Sequence, residues 1–234
     1  ESFSKMIHSK VDIIIFSISG LSALDLSLII ASSGKTIGLA NKESIISLGH
    51  KFIKIAKKNK SKIVPLDSEH FSIYRLLKLN KKNELSKITI TASGGPFYKM
   101  NLKFIKKVTP NQALKHPIWK MGKKISVDSA TMMNKALELI EAKFLFDLEI
   151  SQLNAVIHPE SVIHASINYK DGTTTCLMYE PDMKIPISNL FNEFKKDTFD
   201  NNCVDFVKIN KFNFLNINEK KYPAIKLCYE VLRK

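Results

Sequence analysis

Glycine is scarce in this chain, 8 residues in 234, and no Gly-rich phosphate loop or GxGxxG run occurs anywhere. If the protein binds a dinucleotide, the βαβ unit that would cradle its phosphates is expected upstream of Glu1. The chain opens without Met and stops at Lys234 just after a helical pattern, so it reads as a fragment or a processed chain. Cysteine is sparse too. Cys176, Cys203 and Cys228 stand far apart without a CxxC pair. This excludes a disulfide framework and a zinc cluster and favours a reducing compartment. The longest apolar run, Val11 to Ile18, is interrupted by Asp12 and is far too short to span a bilayer. No secretory leader is evident. Acidic residues are outnumbered, 22 against 36 Lys and Arg, for a net charge of +14. Such a field attracts anions, whether nucleic acid, acidic lipid or phosphorylated metabolites. The lysines are dispersed, however, as on an ordinary solvated surface.

What is present is an alternating pattern. Val11–Ile18, Thr36–Ala40 and Lys62–Leu66 read as short buried strands, separated by helices over Ser22–Ser32 and Glu43–Lys57. That alternation predicts a parallel sheet whose ligands gather at the carboxyl ends of the strands. Asn41, Lys42, Asp67 and Glu69 fall there. Further on, Ile73–Leu79 predicts a helix, Lys87–Ala92 a strand, and Ser129–Phe146 the strongest helix. Short strands are expected at Ala155–Ile157, Val162–Tyr169 and Thr173–Tyr179, the last two joined by an Asp171-Gly172 hairpin turn. The polar, Asn- and Lys-rich stretch 192–221 reads as a linker.

Asp67 and Glu69 flank Ser68. In extended chain, side chains two apart point the same way, so the two carboxylates can converge and share a proton or a hard cation. DxE alone describes two solvated acids equally well. On the helix from Ser129, Met133, Leu137, Ile140 and Phe144 form an apolar stripe, while Asn134, Glu138 and Glu141 line another face with Lys135 beside it. Ser129 suits the N-cap, where free N–H groups attract an anion. That helix thus offers a phosphate seat (Ser129, Asn134, Lys135) and a third carboxylate, Glu138. Ser93-Gly94-Gly95 is either a phosphate-binding strand end or a simple turn. His116, Trp119 and Met121 flank Gly122 in a loop that could serve as a lid.

Taken together, these segments resemble the 1-deoxy-D-xylulose 5-phosphate reductoisomerase family. The match is carried by Leu39-Ala-Asn-Lys-Glu-Ser44, Pro65-Leu-Asp-Ser-Glu-His70, Ser93-Gly-Gly-Pro-Phe97 and His116-Pro-Ile-Trp-Lys-Met-Gly122. It continues in Asp128-Ser-Ala-Thr-Met-Met-Asn-Lys-Ala-Leu-Glu138, His158-Pro-Glu-Ser-Val-Ile-His164 and Glu180-Pro-Asp-Met183. The blocks stand in the family's order.

The resemblance implies that Asp67, Glu69 and Glu138 hold Mg²⁺ or Mn²⁺, with Lys42, Glu69 and Glu138 as catalytic residues. Ser93, Ser129, Asn134 and Lys135 would bind the substrate phosphate, with His164 nearby. Ser68 and Lys42 would meet the hydroxyl and keto end, and His116 and Trp119 would form a mobile lid. Asn41, Lys42 and Glu43 would touch NADPH, with Met121 and Met183 near its nicotinamide. The implied reaction is a metal-assisted skeletal rearrangement followed by hydride delivery, giving 2-C-methyl-D-erythritol 4-phosphate for non-mevalonate isoprenoid synthesis. The implied partners are a phosphorylated small molecule and a second copy of the chain, with no nucleic acid and no membrane. The implied compartment is the cytoplasm, or a plastid-type organelle in a eukaryote.

The expected fold is α/β: the later part of a Rossmann-like dinucleotide-binding domain, then an α/β catalytic domain with a mixed sheet. Residues 1–66 form the first part, 67–193 the second, and 194–234 a linker towards a C-terminal helical domain. The chain departs from the family pattern at residues 189–194, and Ala136 stands where Gly is frequent. A different NADPH-dependent reductase would not need three converging carboxylates. A nucleic-acid-binding protein would need a basic face with interleaved aromatics or an RNP, KH, zinc-finger or helix-turn-helix signature, and none of these signatures occurs.

Overall fold

The computed structural model describes residues 7, 10–79, 84–119, 121–192 and 202–233. Three short strands, β1 (Ile13–Phe16), β2 (Thr36–Leu39) and β3 (Lys62–Pro65), form a parallel sheet in the order β1-β2-β3. Helices α1 (Leu24–Ala31), α2 (Lys42–Leu48) and α3 (His50–Lys58) connect them. A mixed five-stranded sheet follows in the order β7-β6-β4-β5-β8. Its strands are β4 (Leu85–Ala92), β5 (Leu153–Ile157), β6 (Ile163–Tyr169), β7 (Thr174–Met178) and β8 (Leu215–Asn216). β4 and β5 run parallel, and every other pairing in this sheet is antiparallel. The expected α/β class with a mixed second sheet is therefore what the chain adopts. The β6–β7 hairpin turns at Gly172, whose φ of 88° suits a residue without Cβ.

Five longer helices follow, α4 (Ser68–Leu79), α5 (Lys123–Ala130), α6 (Met133–Phe146), α7 (Lys184–Asn192) and α8 (Pro223–Leu232), with single helical turns at Leu102–Ile105, Pro110–Ala113 and Phe206–Ile209. α4 covers β6 and β7, while α6 packs against both α2 and α8. The central strand β2 is buried along its whole length. A Cβ on its Gly38 would come within 2.6 Å of Leu190 Cδ2, so glycine there lets α7 press directly onto the first sheet. Phe16, Ile37, Leu39, Ile45 and Phe52 fill the first core, and Ile73, Ile88, Ile90, Leu139 and Ile167 the second. Each such side chain contributes about 1.5–3 kcal/mol by leaving water.

Four local expectations are corrected. The helix over 43–57 is two helices, broken at Gly49 (φ 48°), against which the Phe144 ring packs. The helix after β3 begins at Ser68 rather than Ile73, because the Asp67 carbonyl already accepts Phe71 N–H at 2.8 Å. Ser129 lies in the last turn of α5. It does not cap α6, whose N-cap is Met132 in a left-handed conformation (φ 59°). Finally, within 192–221, where a linker was expected, β8 pairs with β5. Tyr222, Ile225 and Cys228, also inside the 194–234 span expected to be a linker, are buried in the second core, and the Cys228 thiol donates to Ala136 O (3.2 Å). Residues 193–201, where the linker expectation begins, lie outside the described residues.

Candidate active site

α6 carries the site, and its charged face is more deeply buried than its apolar stripe. Lys135, Glu138 and Glu141 are buried with Ala136, Leu139 and Ala142, while Leu137, Ile140 and Phe144 of the apolar stripe are only half-buried. The helix is enclosed on both sides, so its charged face points inward to other charges. The carboxyl ends of β2 and β3 deliver Lys42, Asp67 and Glu69 to that face.

Asp67, Glu69 and Glu138 each offer a carboxylate oxygen, and these lie within 4.8 Å of one another. Asp67 and Glu69 converge although Glu69 sits in the first turn of α4, so extended backbone is not what brings them together. Two ammonium groups are threaded among the acids. Lys42 pairs with Asp67 and lies 3.5 Å from Glu138, while Lys135 pairs with Glu138 and lies 2.5 Å from Glu69. Asn134 donates to Glu138, and Ser68 to Glu69.

Two further residues, His70 and Glu141, complete the cluster from behind. His70, fully buried, places Nδ1 3.2 Å from Asp67 Oδ1 and 3.5 Å from Glu141 Oε2, and Nε2 2.9 Å from Glu138 O. Both ring nitrogens face oxygen acceptors, which suits the doubly protonated ring. Burial opposes that charge, but Glu141 and Asp67 outweigh it and lift the His70 pKa to about 9. Burial, together with Asp67 and Glu69, raises Glu138 to about 7. For Asp67, burial works upward and is outweighed by Lys42 and His70, which hold it well below the usual carboxylate range. A signal for His70 did exist in the Asp67–His70 run, since residues three apart share a helix face once the helix is known to start at Ser68.

These groups open onto a cavity of about 300 Å³ that Ser93, His116, Trp119, Met121, Ser129, His164 and Met183 also line. His116 Nδ1 accepts from the N–H groups of Ile118 (3.2 Å) and Trp119 (2.8 Å), so the ring proton sits on Nε2 and faces Ser93 Oγ at 2.9 Å. His164 stacks on Tyr179 with centroids 4.0 Å apart, and the Tyr179 hydroxyl donates to Ser68 O at 2.8 Å. Gly95 (φ 63°) brings the 93–96 turn against α5, where a Cβ would meet Ser129 O at 3.0 Å.

Asn41 and Glu43 do not line the cavity. The Asn41 amide donates to Ile18 O (2.6 Å) and Gly20 O (3.3 Å) and accepts from Ser44 N–H (2.8 Å), so its side chain is committed to the fold. Glu43 lies 3.4 Å from Lys124 Nζ. Thr91, Ser161, Ile125 and Met132 line the cavity without having been singled out.

A small parallel unit whose strand ends feed a carboxylate triad on a mixed α/β unit defines an α/β protein with a hard-cation donor set. Residues 63–146 match the model for the 1-deoxy-D-xylulose 5-phosphate reductoisomerase C-terminal domain, 178–234 a second C-terminal domain model of that enzyme, and 1–49 its reductoisomerase model. The chain is 40% identical over 234 residues to the reductoisomerase of Sulfurihydrogenibium sp. (strain YO3AOP1), covering 100% of itself and 61% of that relative. It is 46% identical over 222 residues to that of Pelagibacter ubique (strain HTCC1062), covering 94% and 57%. A crystal structure of DOX-P reductoisomerase with NADPH, fosmidomycin and magnesium superposes with a TM-score of 0.91 at 36% identity, covering 99% of this chain and 60% of that one. The enzyme from Zymomonas mobilis with NADPH gives 0.90 at 35%, covering 99% and 60%. The chain belongs to the 1-deoxy-D-xylulose 5-phosphate reductoisomerase family, and spans about three fifths of the length of these relatives.

Proposed function

We propose that this chain carries the metal- and substrate-binding centre of an enzyme that converts 1-deoxy-D-xylulose 5-phosphate to 2-C-methyl-D-erythritol 4-phosphate. The single observation that supports this most is the convergence of Asp67, Glu69 and Glu138 around two lysines, the half-buried Lys42 and the buried Lys135. An all-oxygen donor set of this kind suits Mg²⁺ or Mn²⁺. When bound, the cation supplies Lewis acidity to the substrate's adjacent oxygens, and NADPH supplies hydride.

The chain's own residues do the rest. Asp67, Glu69 and Glu138 hold the cation. Lys42 and Ser68 stand beside them for the keto and hydroxyl end of the substrate. Lys135 and Asn134, in contact with Glu138, reach from the carboxylates towards the phosphate end, where Ser93, Ser129 and His164 take up the anion. His116 ties Trp119 to Ser93, so the 116–122 loop can close over substrate and exclude water. Lys42, Met121 and Met183 border the cavity on the nicotinamide side, with Asn41 and Glu43 supporting that side from outside the cavity. Among the described residues no helix is long and apolar enough to cross a membrane. Our reading extends to a cytoplasmic or plastid-type setting without nucleic acid, and to a homodimer formed along the open edge of β7.

Calorimetric titration with Mn²⁺, with and without 1-deoxy-D-xylulose 5-phosphate, tests the centre. We expect substrate to tighten metal binding, and Glu138→Gln to weaken the metal by more than about 100-fold while leaving the circular-dichroism spectrum unchanged. Wild-type metal affinity in the folded variant would remove Glu138 from the site.

A further inference from the structure

β4 and β5 are parallel neighbours with Ala92 opposite Ile157, so the residues that follow them emerge side by side. After Ala92 comes Ser93. After Ile157 comes a turn in which His158 N–H still donates to Ala92 O (2.7 Å) and Ser161 N–H closes back on His158 O (3.1 Å). Ser161 has φ of 53°, a left-handed conformation that side-chain-bearing residues avoid. It lines the cavity, and its hydroxyl makes only a long contact, 3.3 Å, to His158 O.

The strain is held from the far side. The Glu160 carboxylate accepts from the backbone N–H of Asn213 (3.0 Å) and from its side-chain amide (2.5 Å). His158 Nδ1 faces Asn213 O at 2.9 Å, and its ring stacks on Phe214 with centroids 4.7 Å apart and 13° between planes. Neither His158, Glu160 nor Asn213 lines the cavity. A glycine would make this turn without strain. What serine adds at this place is a hydroxyl in the cavity that Ser93 also lines.

We infer that Ser161 is a further substrate-contacting residue, its hydroxyl serving the phosphate end next to Ser93, and that Glu160 and Asn213 are positioning residues that hold its turn. This rests on the reaction proposed above. The geometry ties a binding group to the segment that leads into β8, with Glu160 and Asn213 53 residues apart in the chain, so the 212–216 stretch is part of the substrate site without touching it.

The test uses the chain as it is, with 1-deoxy-D-xylulose 5-phosphate and Mn²⁺ as probes. In Ser161→Gly the thermal midpoint is expected at or above that of wild type and Mn²⁺ affinity unchanged. Affinity for the sugar phosphate at saturating Mn²⁺ should fall about 10-fold. Ser161→Ala should show the same loss of affinity. Asn213→Ala should weaken the sugar phosphate about 3-fold alone and add nothing in the Ser161→Gly background, as two residues acting through one group require. Wild-type sugar-phosphate affinity in Ser161→Gly would make Ser161 a turn residue only and overturn the inference. Failure of the wild-type chain to bind the sugar phosphate while binding Mn²⁺ would overturn the substrate reading, and this inference with it.

Discussion

The two ends of the cavity are built on opposite principles. At the carboxylate end, Asp67, Glu69, Glu138, Glu141, Lys42, Lys135 and His70 are interlocked by ion pairs, and Lys135, Glu138, Glu141 and His70 are buried. At the hydroxyl end, Ser93, His116, Trp119 and Ser129 are half-buried, and His116 joins Ser93 to Trp119 by neutral hydrogen bonds. Burying an ion costs several kcal/mol unless partners compensate, so the charged end must be assembled for the chain to fold. The neutral end carries no such obligation and can move.

Lys135→Met should break the comparison hardest. It leaves Glu69 and Glu138 facing each other without their shared ammonium, which costs about 3–5 kcal/mol, or about 10 °C in thermal midpoint. Millimolar Mg²⁺ should restore more of the midpoint in this variant than it adds to wild type. A variant as stable as wild type in metal-free buffer would show that the lysine is not needed to hold the acids together.

The sequence displays half of this contrast. Strand–helix alternation and the β6–β7 hairpin are visible in local pattern, and Asp67, Glu69 and Glu138 stand out there one by one, though their convergence does not. The enclosure of α6 is not visible there, because Lys135, Glu138 and Glu141 look the same facing water as facing one another. Only the long-range approach of β2 and β3 settles which they do. The pairing of His70 with Glu141 is hidden for the same reason, the two being 71 residues apart and meeting only in space. The break at Gly49 depends on Phe144, and the pairing of β8 with β5 joins a short polar stretch to a distant edge. Neither leaves a local period.

A second, smaller effect is expected from pH. Below about 6.5, the ordinary imidazole value, His70 is protonated whether the chain is folded or not, and its ion pairs act in full. As pH rises through about 9, the folded group loses its proton and that stabilisation goes. Glu138, raised to about 7, acts in the same direction, since its ionisation between about 4.5 and 7 is costlier in the folded chain. The metal-free chain should therefore lose on the order of 3 kcal/mol between about pH 6 and pH 9.5, read by urea titration. His70→Gln should flatten the upper half of that profile, and an unchanged slope would mean that His70 is neutral in the fold.

The smallest effect belongs to the neutral end. Ser129→Ala should shift the thermal midpoint by no more than about 2 °C, because a half-buried hydroxyl contributes about 1 kcal/mol or less. It should still weaken sugar-phosphate binding measurably in the calorimeter. A large loss of stability would mean that the two ends are not built differently after all.

The position of α6 has a consequence for how the molecule comes apart. Phe144 and Leu145 belong to the core of the parallel sheet, while Ala136, Leu139 and Ala142 of the same helix belong to the core of the mixed sheet. Neither sheet can lose its packing without stripping one face of that helix, and a helix stripped of a packed face is poorly stable alone. The two sheets therefore share one melting event. The charged cluster midway along α6 sits at the joint and is lost only when both sheets go.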